Sequence, residues 1–220
     1  MNTTGVYIDG REKQVDVKRV TELYALDPSA IYTDTFFRNS RKTEQFQREV
    51  GRGIAQHFKP SSVIEFGCAA GYHLAGLYAE GVAVEGLEYS YSDVLPYIPE
   101  EIRDHVCHGD VMKPHLTNYD MVICLGVAEH ILPEKSDILV ANVCMARRWI
   151  IFSAAKPGQG GCGHINEQPW TYWRSLFGNR GWGQSEEDTL TLRNIYANLT
   201  HKSRYSRFMG RSVRVLTKSA

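Results

Sequence analysis

The stretch SSVIEFGCAAGYHLAGL, residues 61–77, decides the fold class of this chain. An apolar run ends at Glu65, and Gly67 and Gly71 follow before a helical pattern begins. In α/β proteins, a strand that leads through a glycine turn into a helix holds a nucleotide-like ligand. The turn is not the G-x-G-x-x-G of dinucleotide-binding enzymes, because Ala69 stands where a glycine lets the backbone approach a pyrophosphate. Glu65 would also repel a diphosphate, whereas it would attract a cationic ligand.

Strands and helices alternate on either side of this turn. Several of the apolar runs are apolar throughout, which is typical of parallel strands covered by helices on both faces. The patterns predict strands near 62–66, 82–88, 105–107, 120–125 and 148–153, and helices near 42–58, 72–80, 92–97 and 135–146. This alternation predicts a doubly wound α/β domain.

The two ends of the chain give weaker patterns. Residues 1–40 look irregular, whereas RFMGRSVRVLTK, residues 207–218, has the composition of strands without an intervening helix. Two strands joined at Gly210 would form an antiparallel hairpin there, and a single bent strand is the alternative. The predicted fold is therefore α/β, with a mostly parallel seven-stranded sheet and a C-terminal antiparallel hairpin.

Composition places the chain among globular proteins. Its 220 residues suit one domain, and residues 1–14 contain no apolar segment of a signal peptide. The longest apolar run, residues 121–128, is too short to cross a bilayer. The five cysteines are odd in number and scattered, which indicates reduced thiols. We therefore expect a cytoplasmic protein without a membrane partner.

Charge is balanced overall but unevenly distributed. No acidic residue follows Asp188, whereas seven basic residues do. They are Arg193, Lys202, Arg204, Arg207, Arg211, Arg214 and Lys218. An anionic partner such as nucleic acid would fit this basic end, and a solvated basic surface is the alternative that we favour.

Three further predicted strands end in polar residues. The second ends at Glu88, and a carboxylate at this distance after a glycine turn accepts both hydroxyls of a ribose. The third is followed by Asp110, which would accept from an adenine amino group, and the fourth leads to Glu129 and His130. In an open α/β sheet the ligand lies beyond these carboxyl ends, so the four sets of residues are expected to meet.

In this order the strand ends resemble the class I S-adenosylmethionine-dependent methyltransferases over residues 40–155. The resemblance implies a Rossmann-like methyltransferase fold, S-adenosyl-L-methionine as cofactor and S-adenosyl-L-homocysteine as product. It implies that the glycine turn packs against the methionine and ribose, that Glu88 holds the ribose diol, that Asp110 meets the adenine and that Glu65 faces the α-amino group. The predicted cofactor-binding residues are Glu65, Gly67, Cys68, Ala69, Gly71, Glu88, Tyr89, Asp110, Val111, Leu125 and Gly126.

Five of these residues also have a structural explanation. Glu65 could form an ion pair at its strand end, the two glycines could serve tight strand–helix packing, and Glu88 and Asp110 could cap helices. The turn GCAAG also departs from the commoner GCGxG at Ala69. The ordered coincidence of all four strand ends favours cofactor binding.

The loop AAKPGQGGCGHINEQPWTYW, residues 154–173, is the predicted acceptor side of the site. A glycine-rich approach followed by polar and aromatic side chains is typical of a mobile lid with a recognition surface. It is also similar to a G-H-[IV]-N-x-Q-P-x-x-Y-W segment in a subset of class I methyltransferases. His164 and His130 are the candidates for a general base. The predicted substrate-binding residues are Tyr32, Glu129, Asn166, Gln168 and Trp170, although packing of the helix on the sheet explains Trp170 better.

The same part of the sequence contains residues that could bind a metal ion. Cys162 and His164, with Glu129 and His130, offer plausible ligand types. The small-RNA terminal methyltransferases have a Glu/His metal site near this turn, but their pattern has another acid where this chain has Gly126. The sequence therefore predicts no metal ion.

The predicted function is transfer of a methyl group to O or N of a small molecule. The whole chain, 1–220, would form one domain with a cap (1–40), a cofactor half (41–155) and a lid with the last strands (156–220). One alternative is an RNA methyltransferase that uses the basic C-terminal region, and another is a non-catalytic partner subunit. The polar lid argues against the second. No D/N-P-P-Y/W or Pro-Cys motif of the DNA base methyltransferases is present.

Overall fold

The computed structural model describes residues 3–8, 11–26, 32, 34–114, 118–199 and 204–218. The strands are β1 (Thr3–Ile8), β2 (Arg11–Asp16), β3 (Ser62–Phe66), β4 (Ala83–Glu88), β5 (Val106–His108), β6 (Met121–Leu125), β7 (Trp149–Ser153), β8 (Trp182–Gln184) and β9 (Arg214–Lys218). The α-helices are α1 (Val17–Leu26), α2 (Asp34–Ser40), α3 (Glu44–Phe58), α4 (Tyr72–Tyr78), α5 (Tyr91–Val94), α6 (Ser136–Val143), α7 (Trp170–Gly178), α8 (Glu186–Asn198) and α9 (Arg204–Ser212).

Seven strands form the main sheet in the order β5-β4-β3-β6-β7-β9-β8. Strands β3 to β7 pair in parallel, whereas β9 lies between β7 and β8 and is antiparallel to both. The predicted fold class, a doubly wound and mostly parallel sheet of seven strands with an antiparallel pair near the C-terminus, is confirmed. The strand order reverses between β3 and β6, which is where α/β sheets bind their ligands.

Alternate residues of the central strands supply two cores, one on each face of the sheet. Val63 and Ile123 belong to the cluster that buries α3, α4 and α8, whereas Ile64 and Val122 belong to the cluster that buries α6 and α7. Since side chains of a strand point alternately to its two faces, strands covered on both faces must be apolar throughout. This burial explains the unbroken apolar runs in the sequence.

The location of the predicted C-terminal hairpin is wrong. Residues 204–212 form helix α9, so Gly210 lies in a helix and not in a turn between strands. The antiparallel partner of β9 on its outer side is β8, which comes earlier in the chain, and α8 and α9 connect the two. Met209 and Val213 are buried, which anchors the end of α9 beside the sheet.

The N-terminal segment is more regular than the sequence indicates. β1 and β2 form a separate antiparallel pair, and α1 and α2 follow. The Thr4 hydroxyl donates to the Gly161 carbonyl at 2.7 Å, and buried Val20 packs against Cys162 and Ile165. The segment therefore lies against the glycine-rich loop that follows β7.

The structure also bears on a membrane span and on the state of the cysteines. Within the described ranges, no helix combines the length and the apolar character that a bilayer span needs. All five cysteines are free thiols, and Cys68 and Cys124 are buried.

Helices α3 and α4 contact each other through glycines. A Cβ at Gly76 would lie 2.0 Å from the Arg48 carbonyl oxygen, and one at Gly51 would lie 2.1 Å from the His73 carbonyl oxygen. Neither carbonyl can move without separating the helices. The close approach therefore requires glycine at both positions.

We expect Gly76→Ala to lower the free energy of unfolding by about 3 kcal/mol, because the methyl group forces the two helices apart. Urea denaturation followed by circular dichroism measures this change. The matched control is Gly178→Ala at the end of α7, where nothing lies within 4 Å of an added Cβ. That change should leave stability equal or slightly higher. Equal midpoints for the two variants would contradict the packing described.

Candidate active site

A cavity of about 1070 Å³ lies at the carboxyl ends of β3, β4 and β6. Its wall includes the turn after β3, the turns after β4 and β6, part of the loop after β7, and residues from both ends of the chain. Of the predicted cofactor residues, those in this wall are Glu65, Gly67, Cys68, Ala69, Glu88, Tyr89, Asp110, Val111, Leu125 and Gly126. The sheet thus brings these residues to one place.

Gly71 is the predicted cofactor residue that is not part of the cavity wall. Its φ is +70°, and a Cβ there would lie 2.7 Å from the Ile102 side chain. Gly71 precedes the first residue of α4 and allows the turn to pack closely against its neighbours. This agrees with the structural explanation for the two glycines, tight packing between strand and helix.

The turn after β3 is held by backbone bonds to the next strand. The amides of Gly67 and Cys68 both donate to the Leu87 carbonyl, at 2.8 and 3.1 Å. Gly67 and Ala69 have positive φ values of 63° and 48°. For alanine this left-handed conformation costs roughly 1–2 kcal/mol. The Ala69 amide donates to Glu88, and this bond helps to hold the strained residue.

Glu88 joins two turns at the floor of the cavity. Its Oε2 accepts from the Ala69 amide and its Oε1 from the Ser90 amide, each at 2.9 Å. Burial raises the pKa of this carboxyl, and the two amides oppose that shift. Each carboxylate oxygen has a second lone pair, so Glu88 can also accept from two hydroxyl groups of a ligand.

Glu65 presents an oxygen that is both buried and without a partner. Its Oε1 lies 2.9 Å from Nδ1 of His73, and its Oε2 has no hydrogen-bond partner among the described residues. The residue is only 3 % exposed. A buried carboxylate oxygen without a partner is costly, and a cationic group in the cavity would satisfy it.

His73, in the first turn of α4, contacts Glu65 and was not among the predicted site residues. Its position directly after the glycine turn was the available signal.

Asp110 lies on the other side of the cavity, where one carboxylate oxygen accepts from the Met112 amide at 2.9 Å. Tyr89 is 38 % exposed and lies beside the ring of His108. The cavity therefore has a partly open side at the end of β4 and β5.

Both predicted histidines lie in the cavity wall, with Tyr32 and Glu129. The ring centroids of His130 and His164 are 5.1 Å apart, and Tyr32 packs edge-on against His130 at 5.4 Å. Desolvation of the ring and the charge of nearby His164 lower the pKa of His130 to about 3. Burial raises the pKa of Glu129 to about 7, and its Oε2 has no hydrogen-bond partner in the described part of the chain.

Glu167, which the sequence analysis did not single out, holds the glycine-rich loop together. Its carboxylate accepts from the amides of Gln159 and Gly160, at 3.1 and 2.7 Å, and lies 2.8 Å from Nδ1 of His164. A Cβ at Gly161 would lie 2.2 Å from Nε2 of His164, so the imidazole rests directly on this backbone. The loop therefore fixes the His164 ring from two sides.

Three of the predicted substrate-binding residues do not line the cavity. Asn166 is buried and donates to the Ser136 hydroxyl, and Gln168 donates to the Asn166 side chain. Trp170 packs against Phe152 and below the guanidinium of Arg214. The amides of Ile165 and Asn166 also donate to the Glu129 carbonyl. These residues join the loop to the turn after β6, which positions Glu129 and His164 relative to each other.

Sequence comparison identifies the family. A model described as a methyltransferase domain matches residues 20–195, most of the chain. The chain belongs to this methyltransferase family. The predicted methyltransferase fold, enzyme class and S-adenosylmethionine cofactor are thereby confirmed. The matched span includes β3 to β8 and both histidines of the cavity.

Solved structures of other methyltransferases share the fold. Magnesium protoporphyrin IX methyltransferase from Synechocystis PCC 6803, solved with bound SAH, is 16 % identical; the match covers 80 % of this chain and 83 % of that chain, with a TM-score of 0.58. An amino pentose methyltransferase from Micromonospora echinaspora, solved with bound SAM, is 16 % identical over 77 % of this chain and 88 % of that chain, with a TM-score of 0.53. The methyltransferase domain of bacterial CtHen1 is 16 % identical over 79 % and 98 %, also with a TM-score of 0.53.

No curated protein sequence matches the chain. The structural likenesses, at this level of identity, concern the fold. Substrate assignment for this methyltransferase therefore has to come from its own cavity.

Proposed function

We propose that this methyltransferase transfers a methyl group from S-adenosylmethionine to an oxygen or nitrogen atom of a small molecule. The observation that carries the proposal is that one cavity contains two sets of polar groups. Glu65 and Glu88 lie in its wall with the glycine turn, and His130 and His164 lie in the same wall with Tyr32. A donor and an acceptor held in one cavity can be aligned for direct transfer.

The residues of the cavity fit the cofactor. Glu65 offers its unpartnered Oε2 to the α-amino group, and Glu88 offers both oxygens to the ribose hydroxyls. Asp110 and Tyr89 would contact the adenine at the partly open side. When bound, S-adenosylmethionine supplies a methyl group on a positively charged sulfur. The protein then has to orient the acceptor and to manage the proton that the acceptor loses.

His164 is the better candidate to act on the acceptor. Its Nδ1 faces the Glu167 carboxylate, so the proton of the neutral ring lies there and the lone pair of Nε2 is presented on the other side. His130 is desolvated, and its low pKa makes it a weak base. Its edge-on contact with Tyr32 suits it to shape the wall.

The N-terminal segment supports a small acceptor. Gln14, Tyr32 and Phe36 line the cavity, and Thr4 bonds to the glycine-rich loop. We propose that residues 1–40 form the cap, 41–155 the cofactor half, and 156–220 the lid with the last strands of one domain. The GHINEQPxxYW segment marks the proposed subset of the family, and its Asn166 and Gln168 connect the lid to the turn after β6.

The RNA alternative has less support. Arg214 donates to the Arg211, Ser212 and Val213 carbonyls, Arg193 also donates to the Arg211 carbonyl, and Lys218 lies over Trp182. These side chains serve the local structure of the C-terminal region. Lys202 and the side chains of Arg204 and Arg207 lie outside the described residues. RNA binding that weakens steeply with added salt would favour this alternative.

The test is a methyl-labelling experiment. The purified protein is incubated with methyl-labelled S-adenosylmethionine and an extract of its host, and label is counted separately in small molecules, nucleic acid and protein. We expect label in small molecules, and none with Glu88→Ala. Label released by nuclease would support the RNA alternative. No label in any fraction until a second protein is added would support a partner-subunit role and contradict the proposal.

A further inference from the structure

Three side chains at the acceptor end of the cavity form a cluster with the composition of a metal site. Glu129, His130 and His164 each place one potential ligand atom within 4.8 Å of the other two. Ligands that bind a transition metal at about 2.0–2.2 Å lie roughly 3–4 Å from one another, so small side-chain rotations bring this cluster to binding distance. Glu129 and His130 follow β6, and His164 lies in the loop after β7.

Polar groups around the cluster hold the two imidazole rings so that one nitrogen of each ring can bind a metal ion. Nδ1 of His130 lies 3.1 Å from the Gly163 carbonyl oxygen, and Nδ1 of His164 lies 2.8 Å from Glu167. A carbonyl oxygen accepts only, and a carboxylate does the same when ionised, so both neutral rings carry their proton on Nδ1. The lone pair is then on Nε2 in both cases. Histidine ligands of metals are held by carbonyls and carboxylates in this manner.

The third ligand supplies an independent observation. Oε2 of Glu129 is buried without a hydrogen-bond partner among the described residues, and the residue is only 2 % exposed. A buried carboxylate oxygen without a partner is unfavourable, and a cation bound beside it would remove the penalty. The residue also lines the cavity, so an ion there would be accessible to an acceptor.

We propose that Glu129, His130 and His164 bind a divalent first-row transition metal ion such as Zn²⁺, Mn²⁺ or Co²⁺. Two imidazoles disfavour Mg²⁺ and Ca²⁺, which prefer oxygen ligands throughout. Three protein ligands leave at least one coordination position for another molecule. Gly126 offers no ligand atom, and the third ligand of the site, His164, comes from the loop after β7.

The ion gives His164 a different role in the reaction. The ion would polarise an acceptor hydroxyl group bound at the open position and lower its pKa, so that the hydroxyl loses its proton to water and His164 serves as a ligand and not as a free base. This consequence rests on the proposed function. Binding of the ion itself does not, because all three ligands belong to the chain and lie apart from Glu65 and Glu88.

The experiment titrates metal-free protein with Co²⁺ in the absence of cofactor and follows the visible absorption of protein-bound Co²⁺. We expect one ion per chain, and Zn²⁺ should displace it. His164→Gln and Glu129→Gln should each weaken Co²⁺ binding by about 100-fold or more. Glu167→Gln, which only positions His164, should weaken it by about 10–100-fold. The matched control is His57→Gln, because His57 is a half-exposed histidine on α3 outside the cavity.

Binding of S-adenosylmethionine by each variant shows that it is folded. Co²⁺ binding that is equal in wild type, His164→Gln and Glu129→Gln would overturn the proposal, as would its loss in His57→Gln or its absence from the wild type. If Co²⁺ binds as expected but no acceptor is methylated, the proposed function fails and the metal site stands. Methylation that is unchanged in the His164→Gln variant, with no Co²⁺ bound by the wild type, leaves the function and removes the site.

Discussion

His164→Ala is expected to lower the rate of methyl transfer by about 100-fold or more and to leave the affinity for S-adenosylmethionine within about twofold. The rate should fall because the proposed function has His164 act on the acceptor, as a base or as a ligand of the proposed ion, and such groups contribute roughly 10²–10⁴-fold. The affinity is retained because His164 lies in the loop after β7, whereas Glu65 and Glu88 end β3 and β4. Steady-state rates with the identified acceptor and calorimetric binding of the cofactor measure the two quantities.

A second variant separates the position of the imidazole from its presence. Gly161→Ala keeps His164 but adds a methyl group only 2.2 Å from the present position of its Nε2, so the ring has to move. We expect the rate to fall by roughly tenfold or more, because small displacements of reacting groups are costly. His57→Gln again serves as the control. A normal rate in both His164→Ala and Gly161→Ala would remove His164 from the reaction.

Glu88→Ala is expected to weaken S-adenosylmethionine binding by about 100-fold or more. Hydrogen bonds to a charged group contribute about 1.5–3 kcal/mol each, so the two proposed bonds to the ribose amount to about 3 kcal/mol at the lower end of that range, or roughly two factors of ten. The variant also leaves the buried amides of Ala69 and Ser90 without their acceptor. We therefore expect a lower thermal midpoint as well as weaker binding.

Glu80→Ala is the matched control for this change. Glu80 follows α4 and bonds to Gln56 on the surface, away from the cavity. The affinity of the Glu80→Ala variant for S-adenosylmethionine and its thermal midpoint should stay close to those of the wild type. An affinity for S-adenosylmethionine that changes less than threefold in Glu88→Ala would show that Glu88 is only a structural link between the two turns.

The parallel part of the sheet could be predicted from the sequence because its signal is local and strong. The runs at 62–66 and 120–125 are short, mostly apolar and buried on both faces of the sheet. This pattern is typical of strands in a parallel sheet. Helix α9 could not be predicted in this way. The segment RYSRFMGRS has two serines, a glycine and few apolar residues, so its helix depends on tertiary contacts such as the burial of Met209. The β1–β2 pair had a signal, Asp9-Gly10 between two short segments, that was overlooked.

The candidate site divides in the same way. Glu65 and Glu88 could be placed from the sequence because each ends a predictable strand. Which residues of the loop after β7 line the cavity could not be predicted from the sequence, because residues close together in this loop have different surroundings. His164 lines the cavity, whereas Asn166 is buried outside the cavity wall and donates to the Ser136 hydroxyl. The contacts of Glu167 with His164 and of His73 with Glu65 depend on the side-chain directions in the folded loop and turn, which the sequence pattern does not give.

The position of β9 in the sheet has a consequence for folding during synthesis. β7 ends at Ser153, and about 60 residues pass before β9 begins at Arg214. Until β9 has left the ribosome, β7 has an unpaired edge and β8 has no neighbour in the main sheet. An open apolar edge of this kind pairs readily with other chains. The nascent protein should therefore be most exposed to aggregation after β7 and β8 have left the ribosome and before β9 has. We expect the need for chaperones to be greatest during that interval.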